Sequence, residues 1–191
     1  MTLDEYQQHS RHNGDNMLLN EYQTGAVSTA IYTGKLVYPT LGLCGELGEL
    51  LEAMQSRPAS RDRIMKEAGD VLWYAANVAA DIDMQLSDIM GRDVFVDDDE
   101  WYVADIVVEL PLWTGQVAEN AKKILRDNGG EVTADRSKKI AEALKNIILL
   151  LERLCGSCFF GFTLEECAQL NYEKLTSRQE RGVLRGDGDN R

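Results

Sequence analysis

Apolar positions along this chain recur at helical spacing. From Pro39 to about Gln55 a stripe of Leu43, Leu47, Leu50, Leu51 and Met54 advances mostly by three or four residues at a time. A second stripe, between about Arg63 and Asp81, runs through Ile64, Ala68, Val71, Leu72, Ala75, Val78 and Ala79 to Ile82. Such spacing gathers side chains on one face of an α-helix of 3.6 residues per turn. The same reading predicts a first helix over 18–32 and a short one over 86–91. It predicts another from Trp101 to Leu110, interrupted by Pro111 and followed by a helix to Arg126, and a long one from about Ala134 to Leu154. The last helix opens after Thr163, where Glu166 three residues on completes a capping box. Asn128-Gly129-Gly130 is a helix stop, and 56–62 is a loop. No segment alternates with period two, so the predicted fold class is all-α.

The pattern nearly repeats. GELGELLEAM (45–54) aligns with GQVAENAKKI (115–124), and KEAGDVLWYAA (66–76) with AEALKNIILLL (141–151). Each half reads as a helix, a loop, a longer helix and then a shorter one. We therefore read residues 1–191 as a single helical domain. Residues 17–92 form one repeat, 96–175 a degenerate copy, and 176–191 a polar basic tail.

Composition narrows the function classes. Of 191 residues, 44% are hydrophobic, enough for a sizeable core, and the net charge is −12. So acidic a chain lacks the basic surface a general nucleic-acid binder needs. No run approaches the roughly 20 apolar residues of a membrane span, so neither nucleic acid nor membrane is an expected partner. The polar N-terminus carries no secretory leader pattern, and Cys44, Cys155, Cys158 and Cys167 read as reduced thiols of a cytoplasmic protein. The Cys155–Cys158 spacing has no second ligand pair to make a zinc site.

The chemistry-bearing feature is a set of paired acids. Glu46 and Glu49 lie three apart on the second predicted helix, and Glu67 and Asp70 three apart on the third. In both helices the acids stand roughly 80° and 140° from the centre of the apolar stripe, on the same side. Packing the stripes together brings four carboxylates around one point. Close carboxylates repel unless something neutralises them, and a hard divalent cation such as Mg²⁺ accepts oxygen ligands while keeping waters for a phosphate. A di-iron site would need Glu-x-x-His pairs, and the two histidines, His9 and His12, are in no such motif. Tyr74 and Asn77 continue the face of Glu67 and Asp70, where they could meet a base or sugar.

Glu46-Leu47-Gly48-Glu49 followed by Glu67-Ala68-Gly69-Asp70, within LGLCGELGELLEAM and EAGDVLWYAANVA, resembles the MazG-type all-α nucleoside triphosphate pyrophosphohydrolases. The resemblance is good over 18–90 and 163–191 and rests on the repeat alone over 92–160. It implies a MazG-like helical bundle that hydrolyses a nucleoside triphosphate to the monophosphate and pyrophosphate, in control of the nucleotide pool. Mg²⁺, or Mn²⁺ in its place, would be held by Glu46, Glu49, Glu67 and Asp70, with Glu49 doubling as general base in a homodimeric enzyme. A dUTP- or dCTP-directed enzyme falls within the same pattern.

This chain lacks the lysine pair that simple members carry after the first acid pair; the second repeat instead offers Lys122, Lys123 and Arg126. That repeat has Gln116 where the first has Glu46, and Lys145 where it has Asp70. The expectation is a division of labour, with cations of the second half serving phosphates held by the first. Lys174 and Arg178, with Asn171, Arg181, Arg185 and Arg191, read as a basic ending that closes on phosphates. The alternative is a non-catalytic helical protein whose acids hold a structural metal or a partner.

Overall fold

A computed structural model describes residues 15–91, 103–157 and 160–184. Seven helices and no strands occur among the described residues, which have the expected all-α character. They are α1 (Asp15–Ser28), α2 (Val37–Gln55), α3 (Arg61–Asp81), α4 (Leu86–Met90), α5 (Val103–Asn128), α6 (Ala134–Gly156) and α7 (Leu164–Glu180). None of these is long and apolar enough to cross a membrane. The acidic run 93–100, the two histidines, Trp101, Cys158, Arg185 and Arg191 lie outside the described residues.

Local chemistry sets the helix ends. Pro39 falls in the first turn of α2, where its missing N–H would have no partner. Ser60 and Thr133 cap α3 and α6, their hydroxyls accepting from the N–H of Arg63 and Arg136. Thr163 and Glu166 form the expected reciprocal capping box on α7. Gly129 and Gly130 take φ of 62° and 95°, and the Gly130 N–H returns to the Ile124 carbonyl at 3.1 Å, closing α5.

Several boundaries differ from the sequence reading, among them the start of α1 at Asp15 and of α2 at Val37. α1 ends at Ser28 rather than Tyr32, α3 starts two residues early at its Ser60 cap, and α5 runs unbroken through Pro111. A proline inside a helix costs roughly 3 kcal/mol. Here its ring is on the exposed face, while Ile106, Leu110, Thr114, Val117 and Ile124 are buried on the other. Burial of that face holds the helix across the break.

α2 and α3 form one helical hairpin and α5 and α6 another. The hairpins meet through α2 against α5 and α3 against α6. Every residue of the predicted α3 stripe is buried, whereas Leu51 and Met54 of the α2 stripe are only half-buried and Ala53 replaces them in the core. α7 does not lie beside α6 alone; its principal packing is on α3 of the other hairpin. Residues 176–180, expected as tail, are its last turn.

Gly69 is what lets α7 approach. A Cβ there would stand 2.7 Å from the Cys167 carbonyl oxygen and 2.9 Å from the Asn171 Cβ, closer than van der Waals contact permits. The sulfur atoms of Cys155 and Cys167 lie 3.8 Å apart as free thiols, and Cys44 is also a free thiol.

Candidate metal centre

The α2–α3 hairpin carries the paired acids at the edge of its buried stripes, as the helical wheel requires. Glu46, Glu49 and Glu67 each present a carboxylate oxygen, and these three atoms all lie within 4.8 Å of one another. Their exposure is graded: Glu67 is buried at 6%, Glu46 is half-buried and Glu49 is exposed. Arg63, one turn before Glu67, donates from Nε to Glu67 Oε1 at 3.4 Å and from Nη2 to Glu52 Oε2 at 2.8 Å.

Asp70, the fourth expected ligand, borders this group but is engaged from α7. Lys174 Nζ is 2.7 and 2.5 Å from its two oxygens, and Asn171 Nδ2 donates to Oδ1 at 2.5 Å. Tyr22 of α1 completes the support by donating to Asn171 Oδ1 at 3.3 Å. Burial, with Asp70 and Cys167 nearby, holds the Tyr22 hydroxyl well above its usual range. A small cleft of about 120 Å³ opens between α3 and α7, lined by Lys66, Leu170, Asn171 and Lys174.

The electrostatics show acids in excess of cations. Burial is the first cause that pushes the Glu46 carboxyl from 4.5 up to about 8, followed by the charges of Asp70, Glu49 and Glu67; Lys174 opposes the shift. Three hard oxygen donors from two helices, in a site where acids hold a neighbour's proton on, are the donor set a divalent cation of the Mg²⁺ class fits.

An aromatic wall borders the acids. Tyr32 stacks on Tyr38 with ring centroids 4.9 Å apart, and Tyr38 lies 6.1 Å from Tyr74. The Tyr74 ring packs closely on α2 because position 42 is glycine, where a Cβ would stand 2.0 Å from the ring. Burial first, then Tyr38, Glu46 and Asp70, raise the Tyr74 hydroxyl well above its usual range. Asn77 is not beside it in solvent. It is 1% exposed, donates to the Trp73 carbonyl at 2.9 Å and accepts from the Tyr32 hydroxyl. The exposed member of the wall is Tyr38, which the sequence reading passed over because it precedes the periodic part of α2.

The cations of the second half are placed differently from the sequence expectation. Lys122 and Lys123 both pair with Glu119 on their own helix, and Arg126 pairs with the adjacent Asp127. Lys123 lines a cleft that includes none of Glu46, Glu49, Glu67 or Asp70. The i,i+4 spacing lets its ammonium reach Glu119 on the same helix. Of the basic ending, Lys174 and Asn171 hydrogen-bond to Asp70, and Arg178 is buried in α7 at 5% exposure.

Comparison with known proteins falls on the same segment. Residues 39–94 match the family model described as the MazG nucleotide pyrophosphohydrolase domain, which takes in all four acids, Tyr74 and Gly69. The gene 37 protein of Mycobacterium phage L5 is 35% identical over 77 residues, which cover 40% of this chain and 66% of that protein. The chain thus spans just under two thirds of that relative's length. No solved structure matches the chain.

Proposed function

We propose that this protein, whose residues 39–94 match the MazG nucleotide pyrophosphohydrolase domain model, hydrolyses a nucleoside triphosphate to the monophosphate and pyrophosphate. The observation that carries the proposal is the convergence of Glu46, Glu49 and Glu67 oxygens within 4.8 Å, beside an Asp70 already held by a lysine.

In this reading the three glutamates hold a divalent cation, Mg²⁺ with Mn²⁺ as substitute, and Asp70 joins them or orders their solvent. Such a cation, when bound, neutralises phosphate oxygens and acidifies a coordinated water. The chain's own residues do the rest. Arg63 orients Glu67 through its hydrogen bond. Glu49, the most exposed of the three, faces solvent where an attacking water arrives and is the group to take its proton. Lys174 and Lys66, in one cleft beside Asp70, are placed to receive the polyphosphate chain as it leaves the acids. Tyr38, with Tyr74 behind it, offers a flat apolar face for the base. Catalysis is then positioning and charge stabilisation by groups fixed on rigid helices.

The test is incubation of the purified protein with Mg²⁺ and each common NTP and dNTP, assaying monophosphate and pyrophosphate together. Stoichiometric release of both from one substrate, abolished in Glu49→Gln, establishes the reaction and names the base. Tight cation binding without product from any substrate would instead favour the non-catalytic metal- or partner-binding reading.

A further inference from the structure

The second hairpin holds a cleft of about 590 Å³ that the first hairpin's chemistry does not explain. Its position is informative. Gln116, Glu119 and Glu142 line it, and in the internal alignment they stand where Glu46, Glu49 and Glu67 stand in the first half. The cleft is therefore the counterpart of the metal centre, with its chemistry rewritten.

Two changes remove the reason to hold a cation. The acid at the Glu46 position has become a neutral amide, and the acid at the Asp70 position has become Lys145. The glutamate that remains on α5, Glu119, is paired with Lys122 and with Lys123 Nζ at 3.1 Å. An ammonium group carried by the protein thus occupies the role an ion has in the first half. The lining is charge-balanced, with three acids and three cations, and so has no large surplus of either sign.

What remains is a site for something else. Trp113, half-buried, and the exposed Leu112 give one wall a flat apolar surface. On the opposite helix stand Arg136 and Lys139. Arg136 bridges the two helices from Nη1 to Asn120 Oδ1 at 2.9 Å, which uses one of the five donors of a guanidinium and fixes its plane. Asp135 anchors Lys139 at 2.7 Å. The volume lies within the usual range for a small-molecule pocket.

We propose that this cleft binds a nucleoside monophosphate without a divalent cation, its base against Trp113 and Leu112 and its phosphate at Arg136 and Lys139. A balanced lining suits a ligand bearing one phosphate group. A triphosphate would bring more negative charge than two cations already near acids can match. The inference concerns the second hairpin alone and does not rest on the hydrolytic reading of the first.

Equilibrium dialysis of the full chain against AMP, CMP, GMP, UMP and their deoxy forms, in excess EDTA, tests it. The expected result is saturable binding of at least one of them at one site per chain. It weakens tenfold or more in the Arg136→Glu/Lys139→Glu double variant and persists in Glu67→Gln. Lys139 is exposed and Arg136 half-buried, and circular dichroism checks that the helices remain. Quenching of tryptophan fluorescence should follow the same curve in Trp73→Phe and vanish in Trp113→Phe. Inorganic phosphate and free nucleosides, as competitors, separate the two ends of the ligand. No binding in EDTA, or binding lost in Glu67→Gln and kept in the double variant, would overturn the proposal.

Discussion

The two hairpins set matched positions in opposite electrical states. In the first, Glu46, Glu49, Glu67 and Asp70 gather with fewer cations than acids, and Glu46 holds its proton up to about 8. In the second, Glu119 is flanked by Lys122 and Lys123, whose hydrogen bonds and charge hold its carboxyl below the usual range. Acid spacing on a helix is therefore not what makes a cation site, since both halves have glutamates at the same register. The difference is the balance of charge: two lysines of its own helix pair with Glu119, whereas Glu46 feels three neighbouring acids against Lys174. A group whose acids outnumber its cations keeps a repulsion that a divalent cation would relieve; a balanced one would gain little from such a cation.

The sharpest way to break this comparison is to make the same change in both halves. Glu67→Gln should lower the turnover of nucleotide by more than about 100-fold, beyond the roughly 10–100-fold typical of losing a residue that merely supports a ligand. The matched Glu142→Gln should leave the rate of pyrophosphate release unchanged. Equal losses from the two would mean that both hairpins act in one site, which would restore the division of labour expected from the sequence.

Packing offers a second contrast. Position 69 is glycine because α7 crosses α3 there with backbone against backbone; the matched position in the second half is Leu144, a buried core residue. Gly69→Ala inserts a methyl into a contact that cannot yield and should destabilise the fold by about 1–3 kcal/mol, read as a lower urea midpoint. It should also part Lys174 from Asp70, so KM should rise more than the stability loss alone accounts for. A variant with unaltered midpoint would show that α7 is free to shift.

Support of the buried acid comes next in size. Arg63→Met removes the hydrogen bond to Glu67 while keeping the aliphatic stem, and should weaken Mn²⁺ binding by about 10–100-fold. Calorimetric titration measures this directly. Unchanged affinity would assign Arg63 to its surface pair with Glu52 instead.

What the sequence made legible follows from range. The helices, the α3 stripe and the placing of acids beside it are properties of one helix each, and period 3.6 reports them. The capping box at Thr163 and the stop at Gly129 are equally local. Pro111 misled because the burial of Ile106, Leu110 and Val117 that holds α5 together is tertiary, whereas the proline's cost is local. The docking of α7 on α3 joins Asp70 to Lys174 across 104 positions, and no periodicity records such a pairing. Lys122 and Lys123 read from the sequence as cations for phosphates because simple members of the resembled family carry a lysine pair after the acid pair, a reading that leaves out the pairing with Glu119. Glu119 is their partner. Tyr38 had no signal apart from its aromatic character.

The smallest expected effect is on stability against pH, and it distinguishes the halves by sign. A carboxyl that keeps its proton up to about 8 when folded, but only to 4.5 when unfolded, favours the folded state most below 4.5. That contribution is lost as the pH rises through about 8, because the unfolded chain binds fewer protons over the interval. Glu119 acts in reverse. Its folded carboxyl is held below 4.5, so its contribution is present above that value and lost as the pH falls through the lower one. In chelator, denaturation midpoints should therefore decline from about pH 5 towards pH 8, and decline again in acid. Glu46→Gln should flatten only the upper limb, and Lys122→Ala with Lys123→Ala only the lower. Saturating Mg²⁺ should lift the upper limb in the wild type, since an ion among the acids favours their charged forms, and leave the lower one where it was. An upper limb that persists in Glu46→Gln would place the titrating group elsewhere, and the electrical contrast between the hairpins would then lack its main support.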